Sequence, residues 1–452
     1  MKDLLLEAAG RAARYTQEIG NRRVTPLPEH VAALDGLGGP VPLETCDPAK
    51  VLALLDDLGS PATMASTSGR YFGFVTGGAT PITLAANWLA GAWDQNAGLV
   101  ATSPVGARIE EITLRWLLEI FGFPPSCGVG FVTGATMANF TALAAARHRL
   151  LARAGWTVED DGLFGAPPIT VVVGREVHVS LLKALSLLGL GRKRVIVVDT
   201  DDQGRMVPAK LPDLNDRTIV CLQAGNVNTG AFDPAEEICF KARKAGSWVH
   251  VDGAFGLWAA AAPARAHLMK GFSDADSWAT DCHKWLNVPY DSGLAIVRDA
   301  ESHRASMRLM AAYLQSDGAR EPTHYTPEAS RRARGVEVWA ALRWIGRKGL
   351  EDLVERCCRL ATRFSDGMRK RGYEVLNKVV LNQVLVSFGD PDETRRVVAG
   401  VQREGTCWCG STEWQGRTAM RISVSNWATT EQDVDVSLEA IQRVEQGIGA
   451  SG

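Results

Sequence analysis

The sequence lacks any apolar run approaching the roughly 18 residues a membrane-spanning helix needs, so no bilayer-crossing segment is expected. It also lacks a dominant charge: 49 Lys and Arg stand against 51 Asp and Glu, a formal net charge of −2. Nothing in that balance draws a polyanion, and nucleic acid is not an expected partner. The opening Met1-Lys2-Asp3-Leu4-Leu5-Leu6-Glu7 holds three leucines between acids, too short a run for the core of a secretory signal, and the expected location is the cytoplasm. The nine cysteines, scattered from Cys46 to Cys409, lack the paired spacing of a disulfide framework or a zinc site. Neither Cys357-Cys358 nor Cys407-Trp408-Cys409 has a histidine at ligand spacing, so reduced thiols and no metal are expected. Internal repeats and low-complexity tracts are missing. So are a glycine-rich dinucleotide fingerprint and a P-loop Lys-Ser/Thr, which turns the search for a phosphate-bearing ligand away from NAD and ATP.

What is present is apolar material for a large core, 46% of 452 residues. That length exceeds what one core sustains. Three segments are expected: an N-terminal arm (1–61) with short helices broken by Pro26, Pro28, Pro40, Pro42 and Pro48, a large domain (62–330), and a small C-terminal domain (331–452). The large domain alternates: a helix over 106–121, a strand over 130–133, a helix over 136–154, then strand-like runs at 169–173, 195–198, 218–222, 248–251 and 293–297. Strands alternating with helices predict an α/β fold, a mainly parallel sheet covered on both faces. A long helical stretch (336–371) leads to a βαβ-like tail at 383–388, 392–403 and 420–424. In such a sheet ligands sit beyond the carboxyl ends of the strands.

Four unusual features fall there. In Gly130-Phe-Val-Thr133-Gly134-Ala135-Thr136-Met137-Ala138-Asn139 a strand runs through small residues into a helix, the form of a phosphate cradle; the plain alternative is an N-capped helix. Trp248-Val-His250-Val251-Asp252-Gly253-Ala254 ends an apolar strand in an acid, which would suit a pyridinium nitrogen or merely cap a turn. Thr280-Asp281-Cys282-His283-Lys284-Trp285 sets a lysine among apolar neighbours, fit for a Schiff base with an aldehyde or for snorkelling to solvent. Val171-Val-Val-Gly174-Arg175-Glu176-Val177-His178 presents an imidazole that could stack on an aromatic cofactor or serve the structure. Their order along the chain is cradle, stacking His, acid, lysine.

That order, with the wording around Asp252 and the run Asp281-Cys-His-Lys284-Trp-Leu-Asn-Val-Pro-Tyr-Asp-Ser-Gly293, resembles the group II pyridoxal-phosphate-dependent decarboxylases. These include aromatic-amino-acid, glutamate and diaminobutyrate decarboxylases and share the aspartate-aminotransferase (type I) fold. The resemblance covers roughly residues 65 to 430; Ser68-Gly-Arg-Tyr-Phe72-Gly-Phe74 is similar to the family's entrance segment, and Ser103-Pro104 with Glu110 to its Ser-Pro helix start. It implies pyridoxal 5′-phosphate as cofactor, Lys284 as the Schiff-base lysine, Asp252 as pyridinium partner and His178 as the ring-stacking residue. Ala135 and Thr136 would bind phosphate, with Ala254, His283 and Asn226 about the cofactor. The sequence departs from the commoner pattern at Gly253 and in Asn226-Val-Asn228-Thr229-Gly230.

The implied activity is decarboxylation of an L-amino acid to its amine in a cytoplasmic homodimer whose active sites form between subunits. His178 would hold the substrate carboxylate, and Tyr325, on a loop over 313–330, is the chosen acid for reprotonation, with His324 or His283 as substitutes. Phe72, Phe74, Trp93, Asn96 and the Cys407–Arg417 tail are offered for the substrate side chain, or as packing between domains; Arg417 would hold a carboxylate or pair with a surface acid. The alternatives are Cα–Cβ cleavage, aldehyde synthesis, transamination, and a non-catalytic relative of the fold.

Overall fold

The computed structural model of the chain describes residues 1–308 and 320–447. These divide into two compact units, one of Ala79–Arg359 with Asn377–Gln383, the other of Met1–Gly78, Leu360–Leu376 and the residues from Val384 onward.

The N-terminal stretch is more helical than its prolines suggest: α1 (Lys2–Glu18), α2 (Pro28–Ala33) and α3 (Pro48–Ala62). Pro28 and Pro48 open helices rather than break them, because the first helical position needs no N–H donor. The same device starts α4 (Pro81–Trp93) and α5 (Pro104–Phe121), the latter capped by Ser103, whose Oγ accepts from Gly106 N at 3.2 Å.

The first unit is then built on β1 (Gly128–Val132), α6 (Ala135–Arg153), α7 (Val158–Asp161), β2 (Thr170–Gly174), α8 (Val179–Leu187), β3 (Ile196–Val198), β4 (Thr218–Gln223), α9 (Ala235–Ala245), β5 (Trp248–Asp252), β6 (Ser277–Asp281), β7 (Gly293–Val297) and α10 (Ala300–Met307). The seven strands lie in the order β1-β7-β6-β5-β4-β2-β3. All pairs are parallel except those of β7 with β1 and β6. Most strands are buried along their whole length, which is why they read as continuous apolar runs. β6 escaped that reading because Ser277, Thr280 and Asp281 interrupt its apolar character, yet all five of its residues are buried. A core of α6 and α8 residues (Leu143, Leu150, Leu181, Leu185) against Val171, Val173 and Ile219 covers one sheet face.

Beyond α11 (Gly335–Lys370), whose helical path is broken at Gly346 (φ 61°), follow β8 (Glu374–Val375), β9 (Gln383–Ser387), α12 (Pro391–Glu404), β10 (Gly410–Trp414), β11 (Arg417–Ser423) and α13 (Glu431–Glu445). They form a four-stranded sheet in the order β10-β11-β9-β8. The three elements expected in the tail are present as β9, α12 and β11, and β10 is added to them: β10 and β11 make an antiparallel hairpin turned by Gln415 (φ 48°) and Gly416 (φ 78°), both in the left-handed conformation a two-residue hairpin turn requires.

Among the described residues no helix is long and apolar enough to cross a membrane, no group of three or more His, Cys, Asp or Glu is arranged to hold a metal ion, and the nine cysteines are unpaired as disulfides.

Candidate active site

β5 alternates Trp248, His250 and Asp252 on one face with Val249 and Val251 on the other. The first set faces α6. Asp252, 5% exposed, closes the strand, and its Oδ2 accepts from the Asn139 amide of α6 at 3.2 Å while Oδ1 accepts from Ala254 N at 3.2 Å. The Ala254 carbonyl in turn accepts from Asp281 N at 2.9 Å, tying the end of β5 to the end of β6.

Lys284 follows β6 by one turn. Its side chain is 18% exposed and its Nζ lies 3.0 Å from Asp281 Oδ2. The turn is completed by Asn287 in the left-handed conformation (φ 55°), a residue type that tolerates that region, with Asn287 N donating to Lys284 O at 3.3 Å. Asp281 is also reached from the other side: Ala135 N, at the start of α6, donates to its Oδ1 at 2.6 Å.

Two glycines permit that approach. β7 lies between β1 and β6, so the chain leaving β1 must pass over the first residue of β7 to bring α6 toward Asp281. That residue is Gly293, and a Cβ there would sit 2.5 Å from Gly134 Cα. A Cβ on Gly134 would meet His283 Cε1 at 3.1 Å and Asp281 Oδ1 at 3.2 Å.

His283 stacks on Tyr290 with centroids 4.2 Å apart, and its Nδ1 accepts from Ser292 N at 3.2 Å. Burial lowers its pKa, which leaves Nε2 as the protonated nitrogen of a neutral ring, 3.6 Å from Asp281 Oδ1.

The strand ends thus gather Asp252, Ala254, Asp281, His283, Lys284 and Ala135, with Thr136 half-buried in the first turn of α6. The other expected residues have these partners. His178 caps α8, its Nδ1 accepting from Ser180 N at 3.3 Å and bonding Ser180 Oγ at 2.7 Å. Asn226 closes the loop after β4: its Oδ1 accepts from Asn228 N and Thr229 N, and its Nδ2 donates to Gln223 Oε1. Tyr325 lies in a short 3-10 turn, its ring edge-on to His303 (5.2 Å) and beneath Arg320 (4.5 Å), its carbonyl accepting from His303 Nε2 at 3.0 Å. Tyr313 and residues 314–319 of the expected loop lie outside the described residues.

For several of the residues offered for a substrate side chain or for packing, the surroundings favour the packing or pairing alternative. Phe72 is fully buried, edge-on to Phe364, and Trp414 packs with Leu385 and Ala419, so both are core residues. Asn96 Oδ1 accepts from Gly98 N and Arg331 N, and Arg417 pairs with Glu374 on the surface.

The residue pattern gave no sign of a buried ion pair at the sheet edge. Arg331 (0% exposed side chain) lies 2.7 Å from Glu110 (1%) and donates to Phe131 O at 2.8 Å, while Arg320 stands 3.5 Å from the same carboxylate. These guanidinium groups cover edge carbonyls of β1.

Pyridoxal phosphate asks for an anion cradle, an acid opposite its ring nitrogen and an amine. The strand ends supply all three: first-turn N–H groups of α6 that have no intrahelical acceptor, the buried carboxylate of Asp252, and Lys284 Nζ. The donor set fits the group.

Residues 51–389 match the model of the pyridoxal-dependent decarboxylase conserved domain. The acidic amino acid decarboxylase GADL1 of Mus musculus is 29% identical over 322 residues, covering 68% of this chain and 58% of that protein. The aromatic-L-amino-acid decarboxylase of Bacillus atrophaeus is 26% identical over 401 residues, covering 82% and 80%. The chain spans less than two thirds of the length of the mouse, bovine and human GADL1 proteins it matches. Among solved structures, Oryza sativa TDC with PLP and tryptamine superposes with a TM-score of 0.91 at 21% identity over 99% of this chain and 98% of that one, a likeness of fold.

Proposed function

This chain belongs to the pyridoxal-dependent decarboxylase family, and from that premise we propose that it removes the α-carboxylate of an amino acid, with pyridoxal phosphate as cofactor. The observation that carries the reading is the convergence at neighbouring strand ends of Asp252, the Asp281–Lys284 pair and the first turn of α6. When bound, the cofactor supplies an electron sink conjugated to the substrate's α-carbon.

Lys284 would carry the covalent link to the cofactor's aldehyde. Its ammonium must first lose a proton, and Asp281 Oδ2, 3.0 Å from Nζ, is placed to hold it. Asp252 would face the ring nitrogen and keep a proton on it. Ala135 and Thr136 would meet the phosphate, His178 the ring face and the substrate carboxylate, and Ala254, His283 and Asn226 the remainder of the cofactor. The proton returned to the α-carbon is assigned to Tyr325, acting on the site of a second subunit. Self-association into a homodimer is supported by α4, which exposes Ile82, Trp88, Leu89 and Trp93 at 38–57%.

The test is reconstitution with pyridoxal phosphate, a visible spectrum, and carbon dioxide release across a panel of amino acids. A yellow protein that releases carbon dioxide from one of them, and loses both properties as Lys284→Ala, is the expected result. A protein that cannot be coloured by the cofactor would refute the assignment.

A further inference from the structure

The face of β5 that ends in Asp252 carries a hydrogen-bonded chain along its whole length. The Trp248 indole N–H, which can only donate, reaches Ser277 Oγ at 2.9 Å. Ser277, paired in register with His250, lies 2.9 Å from His250 Nδ1. His250 Nε2 lies 2.8 Å from Asn139 Oδ1, and Asn139 Nδ2 lies 3.2 Å from Asp252 Oδ2.

The proton positions follow from the two ends. Asp252, as an anion, can only accept, so Asn139 turns its amide nitrogen toward it and its oxygen toward His250. That oxygen requires a hydrogen on His250 Nε2, which leaves Nδ1 to accept from the Ser277 hydroxyl, while Ser277 accepts from Trp248. The opposite tautomer would flip Asn139 and set two oxygens against each other at 3.2 Å. Ser277, His250 and Asn139 have no exposed surface and Trp248 has 4%, so water does not compete for these bonds. Burial also pushes His250 down to about 3, which keeps the ring neutral.

We propose that Trp248, Ser277, His250 and Asn139 form a one-way hydrogen-bond relay that presents a donor to the rear of Asp252 and holds its carboxylate as the anion facing the cofactor's ring nitrogen. His250 and Asn139 are positioning residues, acting through Asp252. The inference rests on the reading of Asp252 given above. Without the Asn139 donor the carboxylate binds a proton more tightly, and the proton it shares with the ring nitrogen moves toward Asp252. A hydrogen bond to a charged group is strong enough for its loss to change affinity by about tenfold or more.

The test uses the full-length holoenzyme reconstituted with ring-15N-labelled pyridoxal phosphate, whose nitrogen shift reports protonation and is insensitive to packing that merely supports the fold. In Asn139→Leu the shift is expected to move toward that of an unprotonated pyridine and the cofactor's dissociation constant to rise about tenfold or more. Ser277→Ala, one step further back, is expected to move the shift less, in the same direction. In the native holoenzyme labelled with 15N-histidine, the signal lost in His250→Gln is expected to show hydrogen on Nε2 and no titration from pH 6 to 8. An unchanged nitrogen shift in a cofactor-loaded Asn139→Leu, or a His250 hydrogen on Nδ1, overturns the relay while leaving the reading of Asp252 intact. An unprotonated ring nitrogen in the native holoenzyme overturns that reading and the relay with it. If Asn139→Leu does not fold, Ser277→Ala and the native tautomer decide.

Discussion

Gly293→Ala adds one methyl group at a place where the backbone of another segment already lies. The new Cβ would stand 2.5 Å from Gly134 Cα, 2.8 Å from its carbonyl carbon and 2.9 Å from its nitrogen. Carbon atoms rest at about 3.5–4.0 Å, so the chain entering α6 must retreat by about 1 Å. Backbone cannot rotate aside as a side-chain tip can. The Ala135 N to Asp281 Oδ1 bond, 2.6 Å in the native arrangement, would lengthen to the limit of a hydrogen bond, and the N–H groups proposed for the phosphate would move with it. Crowding of this kind costs about 1–3 kcal/mol of stability. A weakened bond to a charged phosphate is worth about 1.5–3 kcal/mol, or about 10- to 150-fold in the cofactor's dissociation constant. The assay is titration of the apo-protein with pyridoxal phosphate, followed by absorbance and by tryptophan fluorescence. Gly91→Ala in α4 is the control, since a Cβ there meets nothing within 4 Å and its binding is expected to match the native protein. A folded Gly293→Ala that binds the cofactor within about twofold of native would refute the claim that this glycine sets the position of α6, since the expected loss is tenfold or more.

Arg331→Met removes the buried partner of Glu110, and neither carboxylate oxygen has a well-aligned hydrogen bond to fall back on among the described residues. The expected loss is about 3–5 kcal/mol, read from the denaturation midpoint, and a loss under about 1 kcal/mol would refute the ion pair's importance. Burial holds His250 and His303 down to about 3 and about 4 and raises Asp233 to about 6. As pH falls below 6.5 the unfolded chain takes up protons that the two folded histidines refuse, so stability falls; below 6 the folded Asp233 takes up a proton that the unfolded chain does not, which offsets about a third of that loss. From pH 7 to 5 these groups together are expected to lower unfolding free energy by about 2 kcal/mol, and urea unfolding at several pH values that shows no such decline would contradict the assignment of two neutral buried histidines.

Most strands of the large sheet were legible because they are buried and therefore written as runs of Val, Ile and Leu, whereas β6, buried but interrupted by Ser277, Thr280 and Asp281, was not. The acid and the lysine were legible because polar residues at the ends of such runs need a reason to be there. The relay behind Asp252 was written in the same letters: Trp248, His250 and Asp252 recur with period two, the spacing that puts them on one face of a strand. What could not be read was anything that depends on two distant segments meeting. Glu110 and Arg331 each look like surface residues until the fold buries both. Gly293 looks like any glycine at a strand start until Gly134 is laid across it. The Cys407–Arg417 tail suggested a pocket because its tryptophans are unusual, whereas the hairpin turn at Gln415-Gly416 places Trp414 in a core and Arg417 beside Glu374.

The arrangement also answers how two acids can end adjacent strands without repelling each other. In the parallel register of β5 and β6, Asp252 lies opposite Ala279, not Asp281. Paired residues share a face, and so do residues two apart, so Asp252, Ala279 and Asp281 all face α6, with Asp281 two residues further along, about 6.6 Å at the rise of a strand. The small side chain of Ala279, packed with Ala138 and Val132, leaves room for α6 to lie close over this stagger. Each carboxylate then meets its own donors: Asn139, from within α6, serves Asp252, while Ala135 N, from its first turn, and Lys284 serve Asp281. A slip of one residue in this register would send Asp281 to the opposite face, away from Ala135, and would break the contact between the lysine's acid and the helix that cradles the phosphate. The register, rather than either acid alone, is what makes these strand ends a site.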